Sequence, residues 1–168
     1  NLSAPQFDKD RIVDVVTSAL AETGLLPSRL ELEITESLLI ERPDDVLATL
    51  MRLKELGVSI AMDDFGTGYS SLSYLLKFPF DKIKIDKSFI ADLSKRPDAA
   101  AIIRAILTLG RSLGMTTTAE GVETEQQRKL LYILGCTEMQ GYLFSPAILA
   151  AEVKRLLLSH RGRAMSAA

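Results

Sequence analysis

Short segments in which apolar and polar residues alternate are separated, along this chain, by segments whose apolar residues recur every three to four positions. The first pattern predicts strands and the second predicts helices. Strands that alternate with helices at this spacing form a parallel sheet with helical crossovers. The predicted strands are residues 30–35, 58–64, 82–86, 115–122 and 138–143, and the predicted helices are residues 8–22, 43–56, 98–113, 125–134 and 149–158.

Two α/β architectures have this order of elements, a doubly wound open sheet and a (β/α) barrel. No Gly-x-Gly-x-x-Gly sequence follows a predicted strand. Its absence disfavours the dinucleotide-binding form of the open sheet, but the two architectures have to be separated by where the polar residues fall.

Polar side chains occur near the carboxyl ends of the predicted strands, on the face opposite the apolar residues. An open sheet covered by helices on both faces would bury these groups in apolar surroundings, where an unpaired carboxylate is costly. In a barrel the inward face can be polar at the carboxyl ends of the strands, where active sites lie. We therefore expect a barrel with five convergent polar residues: Glu33, Asp63, Lys84, Glu120 and Gln140.

The convergent set offers carboxylate and amide oxygens, which favour Mg²⁺, Mn²⁺ or Ca²⁺ over zinc. Adjacent Asp63 and Asp64 could serve two metal ions about 3.5–4 Å apart, a spacing used in phosphate chemistry. The single histidine, His160, lies in a polar, Arg-rich tail, which argues against a histidine base or a histidine-ligated zinc site. The sequence therefore predicts an oxygen-ligated site for divalent cations.

Composition and charge limit the partners and the location that we expect for this protein. The net charge is −2 and there is no long basic block, so we expect no binding to duplex nucleic acid. The single cysteine, Cys136, rules out an internal disulfide and fits a reducing, cytoplasmic location. No apolar run reaches 18 residues, so we expect no membrane contact by this segment, although a parent protein could be membrane-anchored.

Five motifs, in order, resemble those of the EAL family of bacterial phosphodiesterases. They are Glu33-Ile34-Thr35-Glu36, the run DDFGTGYSSL from Asp63 to Leu72, Lys84-Ile85-Asp86, Glu120-Gly121-Val122-Glu123 and Gln140-Gly141-Tyr142. Asn1-Leu2-Ser3 is similar to the end of an earlier strand in that family. The resemblance extends to about residue 155, and the Asp-Asp-Phe-Gly-Thr-Gly run is its most specific part.

The resemblance implies a (β/α)₈ TIM-type barrel of the EAL kind, truncated at the N-terminus. The family's Glu-Ala-Leu strand has no counterpart here, and the chain opens on Asn1 without an initiator methionine. We interpret the chain as part of a longer protein. Residues 1–158 are expected to be an EAL domain that lacks its first strands, and residues 159–168 a frayed tail.

The resemblance also implies an activity, the metal-dependent hydrolysis of cyclic di-GMP to linear pGpG. The implied cofactor is Mg²⁺ or Mn²⁺, with two ions bound, and Ca²⁺ is expected to inhibit. Because the first strand is absent, we expect the chain by itself to turn over slowly or not at all. The alternative is a non-catalytic EAL domain that binds cyclic di-GMP or a protein partner.

Carried over position by position, the resemblance implies a role for each motif residue. The implied metal ligands are Asn1, Glu33, Asp63, Asp64 and Glu120. The implied catalytic residues are Lys84, which orients the attacking water, and Glu120. The implied substrate-binding residues are Gln140, Glu123 and Asp86. A loop after Asp64 is implied to couple the metal site to a homodimer contact, with Gly66, Thr67 and Gly68 in the loop and Glu36 as its anchor.

Overall fold

The computed structural model describes residues 1–2, 7, 11–41, 43–66, 72–94 and 96–165. The strands in this part of the chain are β1 (Glu31–Thr35), β2 (Ser59–Phe65), β3 (Lys82–Ile85), β4 (Thr116–Ala119) and β5 (Glu138–Met139). The helices are α1 (Arg11–Thr23), α2 (Glu36–Glu41), α3 (Pro43–Glu55), α4 (Leu72–Lys77), α5 (Lys87–Asp92), α6 (Pro97–Ser112), α7 (Glu125–Leu134) and α8 (Ala150–Met165). None of these helices is both long and apolar enough to cross a membrane.

The five strands form one parallel sheet in the order β1-β2-β3-β4-β5. A doubly wound sheet reverses its strand order at a switch point, whereas a barrel keeps sequence order. The order observed is therefore that of the predicted barrel. On the other side of β1, Leu2 forms an isolated parallel bridge with Ile34.

The sheet has an apolar outer face because the strand residues alternate as predicted. In β1, Leu32 and Ile34 are buried, while Glu31, Glu33 and Thr35 are only partly buried. The helices pack on the apolar face and form one core with it. Its fully buried members include Ile34, Leu50, Leu53, Ile60, Met62, Ile83, Ile85 and Ile103.

The structure corrects several predicted boundaries. β4 ends at Ala119 and β5 at Met139, several residues short of their predicted ends at 122 and 143. Hydrogen bonds between the two segments continue beyond the strands, from Val122 N to Gln140 O and from Leu143 N to Val122 O, but in an irregular pattern. The last helix continues past residue 158 to Met165. The short helices α2, α4 and α5 had no counterpart in the sequence prediction.

Candidate active site

Four of the five convergent residues meet at the carboxyl edge of the sheet. Glu33 comes from β1, Asp63 from β2 and Lys84 from β3, and Glu120 directly follows β4. Lys84 Nζ lies 2.8 Å from Glu33 Oε1, 2.9 Å from Asp63 Oδ1 and 2.7 Å from Glu120 Oε1. We call these four residues the Lys84 cluster. The predicted convergence of these four side chains is confirmed.

The charge on Lys84 is fixed by its partners. Its side chain is 5% exposed, and burial by itself would lower the pKa of the ammonium group. Hydrogen bonds to Glu120, Glu33 and Asp63 outweigh burial and raise the pKa of Lys84 well above its usual range. The ammonium form of Lys84 is therefore favoured at neutral pH, and in that form the residue donates hydrogen bonds and cannot accept a proton.

Negative charge exceeds positive charge around Lys84. Burial raises the pKa of Glu120, the Lys84 ammonium opposes that shift, and the charges of Asp63 and Glu33 add to it. Burial also raises the pKa of Asp64, with further contributions from the charges of Asp63 and Asp86. These carboxylates repel one another, and a divalent cation bound among them would relieve that repulsion.

Three acids are placed to hold such a cation. Asp63, Asp64 and Glu120 each offer a carboxylate oxygen, and these atoms lie within 4.8 Å of one another. Apart from its ion pair with Lys84, the buried Asp63 Oδ1 accepts no hydrogen bond from the described residues. An all-oxygen donor set suits a hard cation of the Mg²⁺, Mn²⁺ or Ca²⁺ type. The residues present therefore fit a metal ion of this class.

A local irregularity in β2 brings two consecutive aspartates to one site. Neighbouring strand residues normally point to opposite faces. The register between β2 and β3 shifts between Met62 and Phe65, and Asp64 has a φ of +54°. Asp adopts this region of backbone space more readily than most non-glycine residues, but such conformations still cost about 1–3 kcal/mol and cluster at active sites. The strained backbone places the Asp64 carboxylate beside Asp63.

A sequence model of the EAL domain matches residues 1–147. The chain belongs to the EAL domain family. MucR of Pseudomonas aeruginosa, named a bifunctional diguanylate cyclase/cyclic di-GMP phosphodiesterase, is 50% identical over 85% of this chain and 21% of its own length. NbdA of the same organism, named a cyclic di-GMP phosphodiesterase, is 42% identical over 96% of this chain and 21% of its own. The chain thus spans about a fifth of the length of these relatives.

Solved EAL structures have the same fold. The c-di-GMP complex of the PaMucR phosphodiesterase superimposes with a TM-score of 0.86 at 47% identity, over 91% of this chain and 62% of that one. The manganese/c-di-GMP complex of Klebsiella pneumoniae BlrP1 superimposes with a TM-score of 0.78 at 35% identity, over 83% of this chain and 36% of that one. The predicted TIM-like barrel of the EAL kind is confirmed.

The first residues of the chain lie beside Glu33, a member of the Lys84 cluster. Asn1 is exposed, and the N–H of the next residue, Leu2, donates to Glu33 O at 2.8 Å. The start of the chain therefore runs beside the carboxyl end of β1. The metal-binding role of Asn1 stays a prediction.

The three predicted substrate-binding residues lie outside the Lys84 cluster. Gln140, directly after β5, and Glu123, in the segment after β4, are both exposed. Asp86 caps α5, where its Oδ1 accepts from Ser88 N at 2.9 Å, and its charge affects Asp64. Burial opposes ionisation of Asp86, but the hydrogen bonds from Ser88 prevail and lower its pKa. Their roles toward substrate stay predictions.

The predicted coupling loop is described only at its start. Gly66 has a φ of +98° and lies against the Phe89 ring, so that an added Cβ would come within 2.8 Å of Phe89 Cε2. Glu36, the predicted anchor, is buried at the start of α2. Thr67 and Gly68 lie outside the described residues. The anchoring role and the homodimer contact therefore stay predictions, and Phe89 is a packing partner that sequence reasoning missed.

Gln127 is a second residue whose full role was missed. Gln127 forms a capping box with Thr124 at the start of α7. The buried amide also accepts from Glu123 N at 2.9 Å and donates to Ile90 O at 3.1 Å. Gln127 thereby ties the segment after β4, which begins with Glu120, to α5. Its link to Ile90 joins residues 37 positions apart, which no local sequence pattern reveals.

Proposed function

We propose that this EAL domain is the catalytic part of a cyclic di-GMP phosphodiesterase, which hydrolyses one phosphodiester bond to give linear pGpG with Mg²⁺ or Mn²⁺. The observation that carries the proposal is the buried Lys84, whose Nζ lies within 2.9 Å of carboxylates from three other parts of the sheet. The names of MucR and NbdA support the choice of substrate. The manganese complex of BlrP1 supports the choice of metal.

The acidic residues would hold the metal, with Glu33, Asp63, Asp64 and Glu120 as proposed ligands and Asn1 as a further one. A bound divalent cation lowers the pKa of water toward neutrality and screens the charge of the phosphate. Lys84 contributes a fixed positive charge next to the attacking water and stabilises the negative charge that develops in the transition state. No histidine is needed for this chemistry.

Glu120 is the proposed acceptor of the water proton. Its Oε1 pairs with Lys84, which leaves Oε2 as the oxygen that receives the proton. The water oxygen bonds to phosphorus, the bond from phosphorus to O3′ breaks, and O3′ takes up a proton from solvent. Glu120 then releases the proton it accepted to solvent, which restores the carboxylate. The phosphate remains on the 5′ oxygen, as the product pGpG requires.

The test is hydrolysis of cyclic di-GMP by the chain with Mn²⁺ or Mg²⁺, followed by chromatography of pGpG. Because the chain spans 62% of the PaMucR chain, protein is kept in excess over the dinucleotide so that slow turnover is detected. Lys84→Ala should lower the rate by about 10²–10³-fold, the cost of losing a transition-state electrostatic contact. The matched control is Lys77→Ala, since Lys77 pairs with Asp44 on the exposed surface.

Two results would overturn the proposal. Equal rates for the unsubstituted chain and Lys84→Ala would mean that the observed hydrolysis does not use this site. Absence of pGpG from this chain and from the same chain extended upstream through the family's Glu-Ala-Leu strand, together with calorimetric binding of cyclic di-GMP, would favour the alternative, an EAL domain that binds the dinucleotide without hydrolysing it.

A further inference from the structure

A second group of charged residues lies on the inner face of the sheet, on the amino-terminal side of the Lys84 cluster. Lys82 Nζ lies 2.8 Å from Glu31 Oε2 and 2.7 Å from Glu138 Oε2. Thr118 Oγ1 donates to Glu138 Oε2 at 2.9 Å. We call these four residues the lower ion layer.

The lower ion layer is in register with the active site. Side chains two residues apart on a strand share a face and are separated by about 6.6 Å along the strand. Each member of the layer stands two residues before a candidate site residue. The pairs are Glu31 with Glu33, Lys82 with Lys84, Thr118 with Glu120, and Glu138 with Gln140.

Lys82 connects the two edges of the sheet. It lies on the central strand, β3, yet its partners come from β1 and β5, the first and last strands in the sheet order. Its neighbour across the β2–β3 pair is Ala61, whose small side chain leaves space for the ammonium group to pass β2 and reach Glu31. A single cation therefore spans the inner face from one edge to the other.

We propose that Lys82 is a positioning residue. It holds β1 and β5 at a fixed separation, so that Glu33 contacts Lys84 and Gln140 lies on the opposite side of the active site. The side chain of Lys82 is 17% exposed, so its two ion pairs are partly protected from solvent and define one geometry. Without Lys82, the negatively charged carboxylates of Glu31 and Glu138 would repel each other, because the cation that they share would be absent. The consequence for catalysis rests on the proposed function, whereas the effect on the Lys84 cluster does not.

The first measurement requires no metal. Solvent exchange of the Lys84 ammonium protons, followed by NMR of ¹⁵N-lysine-labelled chain and assigned with Lys84→Arg, reports how firmly the cluster holds Lys84. Lys82→Met should accelerate this exchange beyond the twofold range of the control below, because the carboxylates that hold Lys84 are then less firmly positioned. Lys82→Arg, which keeps the cation, should restore slow exchange.

The matched control is Lys54→Met. Lys54 also forms a partly buried ion pair, with Asp81 Oδ1 at 2.6 Å, but it lies on α3 and does not link the edges of the sheet. Lys54→Met should lower the melting temperature and leave exchange at Lys84 within twofold of the unsubstituted chain. Should Lys82→Met fail to fold, Glu138→Gln is measured instead, since the Glu138 side chain is 47% exposed and the substitution releases β5 alone.

The second measurement is calorimetric titration with Mn²⁺. We expect Lys82→Met to raise the Mn²⁺ Kd about tenfold and Lys54→Met to leave it unchanged. Exchange at Lys84 and Mn²⁺ affinity that match the unsubstituted chain in Lys82→Met would overturn the inference. An equal loss in Lys54→Met would also overturn it, because the effect would then follow stability alone. Failure to form pGpG contradicts only the proposed function, since exchange at Lys84 is measured without substrate or metal.

Discussion

Strands β1 to β3 and the margin of the sheet at β5 differ in how firmly they are packed. Strands β2 and β3 carry Ile60, Met62, Ile83 and Ile85, all fully buried beneath helices. At the other end, β5 has only two residues and is followed by α8, where Leu157 is 61% exposed. The first region resembles the centre of a large core, and the second resembles the margin of one.

This difference matches the division of the candidate site. Glu33, Asp63 and Lys84 stand on the well-packed strands, where their positions are fixed by buried neighbours. Gln140 and Glu123, the predicted substrate contacts, stand on irregular, exposed backbone near β5. Rigid elements give more accurate placement of reacting groups than loops do. The comparison indicates that the metal ligands are placed by the first region and by its Lys82 link to β5, whereas adaptation to substrate depends on the exposed backbone after β5.

The largest effect on the free energy of unfolding should come from a cavity in the well-packed region. Ile83→Ala removes apolar atoms from a fully buried position on β3 and should cost about 2–5 kcal/mol of unfolding free energy. Leu157→Ala, on exposed α8, should stay within about 0.5 kcal/mol. Urea denaturation of both variants measures the contrast. A loss of similar size in Leu157→Ala would show that α8 is packed as firmly as β3 and would remove the distinction.

A smaller effect should come from crowding the loosely packed end. A Cβ at Gly141 would lie 2.3 Å from Val122 N and O, at a φ of +156°. Overpacking of this kind costs about 1–3 kcal/mol. Gly141→Ala should therefore lower the free energy of unfolding and accelerate amide hydrogen exchange at Val122 and Leu143, while Mn²⁺ binding at the Lys84 cluster persists.

The control for that variant is Gly114→Ala. Gly114 also has a positive φ, +72°, but an added Cβ would meet nothing within 4 Å. Gly114→Ala therefore measures the cost in unfolding free energy of a positive φ alone, about 1–2 kcal/mol, without the cost of a steric clash. If Gly141→Ala abolished Mn²⁺ binding, the irregular backbone after β5 would itself place the metal ligands, and the proposed division of the site would be wrong.

The sequence predicted the strands of the well-packed region more accurately than those near β5, for a physical reason. Alternation in β1 to β3 reports directly which side chains share a face, so that the convergence of Glu33, Asp63 and Lys84 followed from period two. Near β5 the backbone is irregular, and the same rule placed the strand ends three and four residues too far along. The short helices α2, α4 and α5 have six residues each, too few for helical periodicity to appear.

The contacts that sequence could not predict are those that depend on curvature and long-range packing. Alternation alone puts Lys82 on the face of Lys84, but its reach to both β1 and β5 requires a sheet that curves. The contact of Gly66 with Phe89 and the bond from Gln127 to Ile90 join separate βα units. Such contacts arise only when the units assemble, because nothing in the local sequence of either partner specifies the other.

The smallest effect concerns pH and the loosely packed end. The hydrogen bond from Lys82 lowers the pKa of Glu138 below its usual 4.5, burial opposes the shift, and the hydrogen bond from Thr118 adds to it. A depressed carboxylate pKa in the folded state stabilises the fold above the unfolded-state pKa, and the contribution is lost as pH falls through the folded-state value. Because Glu138 is 47% exposed, the contribution should be about 1 kcal/mol or less.

Urea denaturation of the chain and of Glu138→Gln at pH 7, 5, 4 and 3.5 measures this contribution. The stability difference between the two proteins should be constant from pH 7 to 5 and shrink below about pH 4.5, where the carboxylate of the unfolded chain takes up a proton. A difference that stays constant down to pH 3.5 would mean that Glu138 is not held in its charged form by Lys82. The link from β3 to β5 would then contribute nothing to stability, and the last strand would depend on its backbone and side-chain hydrogen bonds to β4.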